Sequence, residues 1–208
     1  MSSGDRDWRG MEAVQTFAGT SLDVILERMA ALVAEKTAKG LSTLLGHPIQ
    51  MSVPRLELVP ISEVSALVGG PEQEAVGIYL LVSGDLPGHV MLILPLADAL
   101  RLADMLMEVP EGTTQVLGTL ERSALGEVGN VSTCLFLNAI ANATGLDLRP
   151  SPPAVMIDMV GAVIDVILVS AGMVSDEILL LEAEFQGPDR NIEMYFWMVP
   201  TTAMAVGA

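Results

Sequence analysis

Cysteine is nearly missing from this chain. One residue of 208, Cys134, carries a thiol, which excludes an intrachain disulfide and any multi-cysteine metal site. Histidine is almost as scarce. His47 and His89 both fall where turns are expected, so both read as solvated turn residues rather than ligands. Basic residues are few: 10 Lys and Arg stand against 26 Asp and Glu, a formal net charge of −16. A protein that grips a nucleic-acid backbone needs a basic face, and one that docks on anionic lipid needs the same sign. Neither partner fits. Familiar catalytic signals are absent too: there is no P-loop, no Gly-x-Ser-x-Gly elbow and no His-Glu-x-x-His helix.

A long apolar run free of charge is also lacking, although mean hydropathy is +0.52. The most apolar stretch, residues 154–174, contains Asp158 and Asp165, each costing about 2.5–3.5 kcal/mol near a bilayer centre. It reads as a strand followed by a buried helix, with no membrane insertion. The first ten residues are polar and mixed in charge, without the apolar core of a signal peptide, so the cytoplasm is the expected compartment.

What is present suits a folded core. Apolar residues make up 51% of the chain, and the length fits one domain or two small, intimately packed halves. Residues 1–16 read as a flexible tail. From Ser21, apolar residues recur at three and four up to Gly46, which predicts a long helix capped by Thr20 or Ser21. Residues 50–59 alternate as a strand, 62–68 read as a short helix, 75–82 and 88–94 as a hairpin, and 96–107 as a helix. The second half repeats this order. A long helix is expected from Thr113–Thr114 to Thr144, stopped by Gly145, since threonine caps helix starts and glycine follows helix ends. A strand at 154–157, a helix at 158–170, a hairpin from 178–185 and 192–199, and a short tail helix after Pro200 complete it.

The two copies register at an offset of 99: Leu45–Gly46 answers Thr144–Gly145, and Pro54 answers Pro153. Neither hairpin has enough strands to be stable alone. The expectation is therefore one α+β unit over residues 17–208, of mixed α/β layers. It has a pseudo-two-fold repeat (about 17–109 and 113–208), and its continuous, mainly antiparallel sheet carries the helices on a face.

Within the second long helix, Ser123, Glu127 and Asn130 share one polar stripe. Leu117, Leu120, Ala124, Val128, Val131 and Leu135 form the neighbouring apolar stripe expected to face the core, leaving the acid and the amide at its boundary. Gly126 and Gly129 interrupt the helix, each at about 1 kcal/mol relative to alanine. Spacing leaves two readings open: they clear bulk so that a partner's backbone can approach, or they let one helix pack closely on another. Cys134, on the stripe of Asn130, reads as a small core hydrophobe. Asn138 and Asn142 read as buried hydrogen-bonding groups.

The pattern Ser123-x3-Glu127-x2-Asn130, followed by 22 residues and Pro153, resembles the signature of the CheC/CheX/FliY chemotaxis phosphatases. Segments 41–59, 76–94 and 157–169 resemble the family as well, so the likeness spans roughly residues 22–199. The resemblance implies a hydrolase acting on the aspartyl phosphate of a CheY-type response regulator. Glu127 would pair with the regulator's active-site lysine. Asn130 would place its amide beside the acyl phosphate and position the attacking water. Ser123, Gly126 and Gly129 would line the docking face, and Pro153 would be structural. No metal of this chain's own is implied, because the regulator brings Mg2+. A CheD-type receptor deamidase is a further partner the resemblance suggests. At the same offset the first copy places Val24, Arg28 and Ala31 against Ser123, Glu127 and Asn130, which implies a single site. The alternative is a non-catalytic adaptor that binds a regulator or a CheD-type deamidase. An intact Glu127/Asn130 pair distinguishes the two, since a pure scaffold has no chemical need of it.

Overall fold

The computed structural model describes residues 22–170, 177–186 and 192–201. The expected N-terminal tail and the helix after Pro200 lie outside them. The elements run α1 (Leu22–Leu45), β1 (Gln50–Met51), β2 (Arg55–Pro60), α2 (Ile61–Val64, continued by a 3-10 turn, Ser65–Val68), β3 (Glu74–Gly84), β4 (Gly88–Pro95) and α3 (Leu96–Leu106). A second series follows: α4 (Thr119–Thr144), β5 (Leu148–Pro150), β6 (Ala154–Met159), α5 (Val160–Ser170), β7 (Glu177–Gln186) and β8 (Met194–Pro200). Both long helices stop at a left-handed glycine, Gly46 (φ 67°) and Gly145 (φ 76°), a conformation that lacks the Cβ penalty only in glycine.

All eight strands join one antiparallel sheet in the order β1-β7-β8-β4-β3-β5, with β2 also on β7 and β6 also on β3. The halves are exchanged across it. The first half's β1 and β2 pair with the second half's β7, while the second half's β5 and β6 pair with the first half's β3. The two hairpins meet at β4 and β8 in the centre.

The helices cover both faces rather than one. On the first, α1, α3 and α4 close the larger core, in which Leu41, Leu102, Leu125, Val128 and Phe136 meet Ile78, Leu80, Leu92 and Phe196. The Phe136 and Phe196 rings lie 4.5 Å apart, fixing α4 over β8. On the second, α2 and α5 cover Met91, Ile93, Leu180 and Trp197 with Val64, Val160, Val163 and Ile167. A strand with helices on both sides must be apolar on both, and β4 is buried at every position from Gly88 to Leu94.

Several expectations are corrected. The strand at 50–59 is broken at Ser52–Pro54, and β5 carries too few residues to show a period. Helix α4 begins at Thr119, not at Thr113–Thr114. Its N-cap is Gly118, because the intervening loop is claimed by a buried carboxylate. Asp104 accepts the N–H of Gly112 at 2.7 Å and of Thr114 at 2.8 Å. Donors on Thr114 foremost, then Gly112 and Thr113, outweigh burial and hold Asp104 below the usual carboxylate range. His89 is not a solvated turn residue: it lies on β4, buried, with Nδ1 2.7 Å from the Tyr79 hydroxyl. Asn138 and Asn142 are exposed, not buried. Helix α4 is long and apolar enough to cross a membrane by composition, yet more than half of it is buried within the fold, as a core helix would be.

Candidate functional site

The face of α4 that meets the sheet is Leu125, Val128, Gly129, Ser132 and Phe136, all buried. It is rotated from the expected apolar stripe. Leu120 is exposed, Ala124, Val131 and Leu135 are half-buried, and Leu117 is buried from the loop before the helix. The rotation comes from the glycines. A Cβ on Gly129 would lie 2.4 Å from Ile78 Cγ2, and one on Gly126 would lie 3.3 Å from Val155 Cγ2 and 3.7 Å from Pro153 Cγ. Ile78 and Val155 are direct partners across β3 and β6. The helix therefore rests its two side-chain-free positions on two adjacent strands, at a separation no larger residue permits at 129. Gly126 and Gly129 are buried against the sheet, so they serve the packing of a helix on a sheet. They neither line the outer face nor seat another helix. Pro153, just before β6, sits beneath Gly126.

With those positions turned inward, Ser123 and Glu127 are exposed and Asn130 is half-buried. Asn130 and Glu127 are three residues apart, about 4.5 Å along the axis and 60° around it. Asn130 is thus recessed at the flank of a surface on which Glu127 stands free. The carboxamide of Asn130 is engaged on one side. The Cys134 thiol donates to its Oδ1 at 3.8 Å, a weak contact. Burial first, and the Glu127 charge second, push the Cys134 thiol up, so it stays protonated and able to donate at neutral pH. An amide oxygen has two lone pairs and the amide nitrogen two protons. Asn130 therefore keeps both N–H groups and one lone pair for an incoming water or partner. Cys134, read from sequence as a core hydrophobe, is half-buried beside this amide.

At the positions of the first repeat matched to this stripe, Val24, Arg28 and Ala31, the backbone is helical, and the side chains lie outside the described residues. Among the described residues no group of three or more His, Cys, Asp or Glu is placed to hold a metal.

Solved structures of chemotaxis proteins share this architecture. FliY of Thermotoga maritima superposes with a TM-score of 0.62 at 20% identity, covering 85% of this chain and 91% of that one. A chain of the CheX–CheY–BeF3–Mg2+ complex of Borrelia burgdorferi superposes with a TM-score of 0.51 at 17% identity, covering 85% and 96%. These define the fold as that of the CheC, CheX and FliY proteins. The model of the CheC-like family matches residues 120–157, the span from α4 to β6 that holds Ser123, Glu127, Asn130 and Pro153. The chain is also 30% identical over 180 residues to the CheY-P phosphatase CheC of Bacillus subtilis, covering 85% of this chain and 86% of that protein. It belongs to the CheC-like family.

Proposed function

We propose that this protein hydrolyses the aspartyl phosphate of a CheY-type response regulator at one site on α4, with Glu127 and Asn130 as the working residues. The observation that carries the reading is the placement of the pair. Glu127 is free in solvent and Asn130 recessed beside it, within the span matched by the family model. Two comparisons support the substrate class: the CheC relative is a CheY-P phosphatase, and the Borrelia fold neighbour is in complex with CheY, BeF3 and Mg2+.

The chemistry follows from the residue types. An acyl phosphate is already activated, so hydrolysis needs a water held in line with phosphorus and little else. A neutral amide can orient that water without repelling the phosphoryl oxygens, as a carboxylate would. Glu127 supplies a charge for a lysine beside the regulator's phosphorylated aspartate, which fixes the docked geometry. The Mg2+ belongs to the regulator, whose own carboxylates hold it. The reaction places the protein in the cytoplasm with its substrate. A CheD-type deamidase is a second partner, whose effect on the rate the same assay reads.

The test is the decay of a phosphorylated CheY-type regulator with and without this protein. Acceleration is expected, and Asn130→Ala should abolish it while leaving the free energy of unfolding within about 1 kcal/mol of wild type. Unchanged hydrolysis in that variant would sink the site. Binding without acceleration by the wild-type chain would favour the adaptor.

A further inference from the structure

The outward face of α4 carries a second feature that the chemistry above leaves unused. Leu120 is 65% exposed and Val116 79% exposed. Leu120 and Glu127 are seven residues apart on one helix, which puts them about 20° from collinear and about 10 Å apart along the axis. The row Leu120, Glu127 is therefore one continuous surface, with Ser123 and Asn130 on its flank. Val116 precedes it on the loop that leads into the helix.

That loop is not slack. Asp104 takes the N–H groups of Gly112 and Thr114. The Thr113 hydroxyl donates to the Pro110 carbonyl at 2.6 Å, and Gln115 Nε2 to the Gly112 carbonyl at 2.7 Å. Arg122 Nε reaches back from the helix to the Leu117 carbonyl at 3.0 Å, while the Leu117 side chain is buried in the larger core. Two large apolar side chains are thus presented to solvent on a segment pinned from both ends, a preorganised arrangement that lowers the cost of ordering on contact.

Charge gives a reason for an apolar contact here. The chain carries −16. A regulator's phosphorylation pocket is anionic as well, since it must hold both a magnesium-binding carboxylate set and the phosphoryl group. Long-range attraction therefore cannot supply the affinity, and one Glu127–lysine pair at a solvated surface adds little. Desolvation of apolar surface remains.

Resting on the phosphatase reading above, we infer that Val116 and Leu120 are the apolar anchor for the docked response regulator. They seat in an apolar depression of the regulator about 10 Å from the lysine that meets Glu127. The anchor sets affinity, and Asn130 sets the rate of the chemical step.

The experiment compares Leu120→Ser, Val116→Ser and Asn130→Ala in the full chain, using a purified CheY-type regulator phosphorylated by acetyl phosphate. Initial rates are taken across regulator concentration, and binding is measured to the same regulator loaded with beryllofluoride. Leu120→Ser is expected to raise KM and Kd about ten-fold, the effect of losing one buried leucine, with kcat unchanged. Val116→Ser shifts the same two constants in the same direction, and Asn130→Ala removes kcat with Kd unchanged. Wild-type KM in both serine variants would overturn the anchor while leaving the phosphatase reading intact. So would a wild-type dimer that Leu120→Ser splits, which assigns the patch to a second copy of this chain. A wild-type protein that neither accelerates decay nor binds would overturn the phosphatase reading itself.

Discussion

Ser52 and Ser151 perform the same task on opposite edges of the sheet. The Ser52 N–H donates to the Glu184 carbonyl at 2.8 Å, and its hydroxyl accepts the Glu184 N–H at 2.8 Å. The Ser151 N–H donates to the Leu81 carbonyl at 2.8 Å, and its hydroxyl accepts the Leu81 N–H at 3.0 Å. Each serine lies two residues before the matched prolines, Pro54 and Pro153. There the chain breaks between β1 and β2, or between β5 and β6, and the side chain replaces the lost ladder bond.

Serine-to-alanine changes at these positions should therefore behave alike. Each leaves one strand N–H without its acceptor, for about 1 kcal/mol. The sites sit at opposite edges of the sheet, so the double variant should lose the sum to within about 0.5 kcal/mol. Urea denaturation of the three variants checks this, and strong non-additivity would show that the edges are coupled.

Charge reversal at Glu127 tests the docking contact separately from the chemistry. Glu127 is exposed, so Glu127→Lys should leave thermal unfolding unchanged. Facing a lysine on the regulator, it should lower kcat/KM at least about ten-fold, since like charges at a contact are penalised strongly. Unaltered kcat/KM would place the regulator's lysine elsewhere.

The two helix glycines should respond unequally to alanine. At Gly129 the new methyl would lie 2.4 Å from a branch of Ile78 on the central part of the sheet, whereas at Gly126 it meets Val155 at 3.3 Å. Gly129→Ala is expected to cost about 1–3 kcal/mol from overpacking, less the roughly 1 kcal/mol that alanine adds to a helix. Gly126→Ala should fall near neutral. Melting temperatures separate the two, and equal values would mean α4 shifts freely on the sheet.

His89 ties stability to pH. Burial holds its pKa below the ordinary value, and its Nδ1 meets the Tyr79 hydroxyl. The unfolded chain therefore binds this proton more readily than the folded one. The neutral form's stabilising share is complete above the unfolded pKa, near 6.5. It declines as pH falls below that value towards the lower folded pKa. Chemical denaturation at pH 7.5 and pH 5.5 should show this loss, and His89→Leu should remove that part of the slope. An identical slope in the variant would assign it to the carboxylates.

Much of this was legible in the residues. The helix period, the terminal glycines Gly46 and Gly145 and the hairpin spacings are local signals, and each concerns residues a few positions apart. The 99-residue offset held at both long helices' ends, at β2 against β6, and at the paired serines, because equal segments repeat equal local chemistry. The Ser123, Glu127, Asn130 stripe is likewise a matter of helical geometry. What depended on distant residues was hidden. Asp104 shortened α4 by capturing backbone N–H groups from a loop, which no cap signal at Thr113–Thr114 reports. Ile78 and Val155 set the rotation of α4, leaving Leu120 in solvent and Gly129 in the core. Partners on both sides of β4 buried His89, although a histidine beside a Gly-Asp-Leu-Pro turn reads as exposed. The sequence by itself determined the elements, their repeat and the polar stripe, through contacts within a turn or two of chain. Only the tertiary structure decided that the halves exchange strands, which helix face is outward and which polar groups are buried. Those outcomes rest on apolar surfaces that meet only once the eight-stranded sheet is assembled.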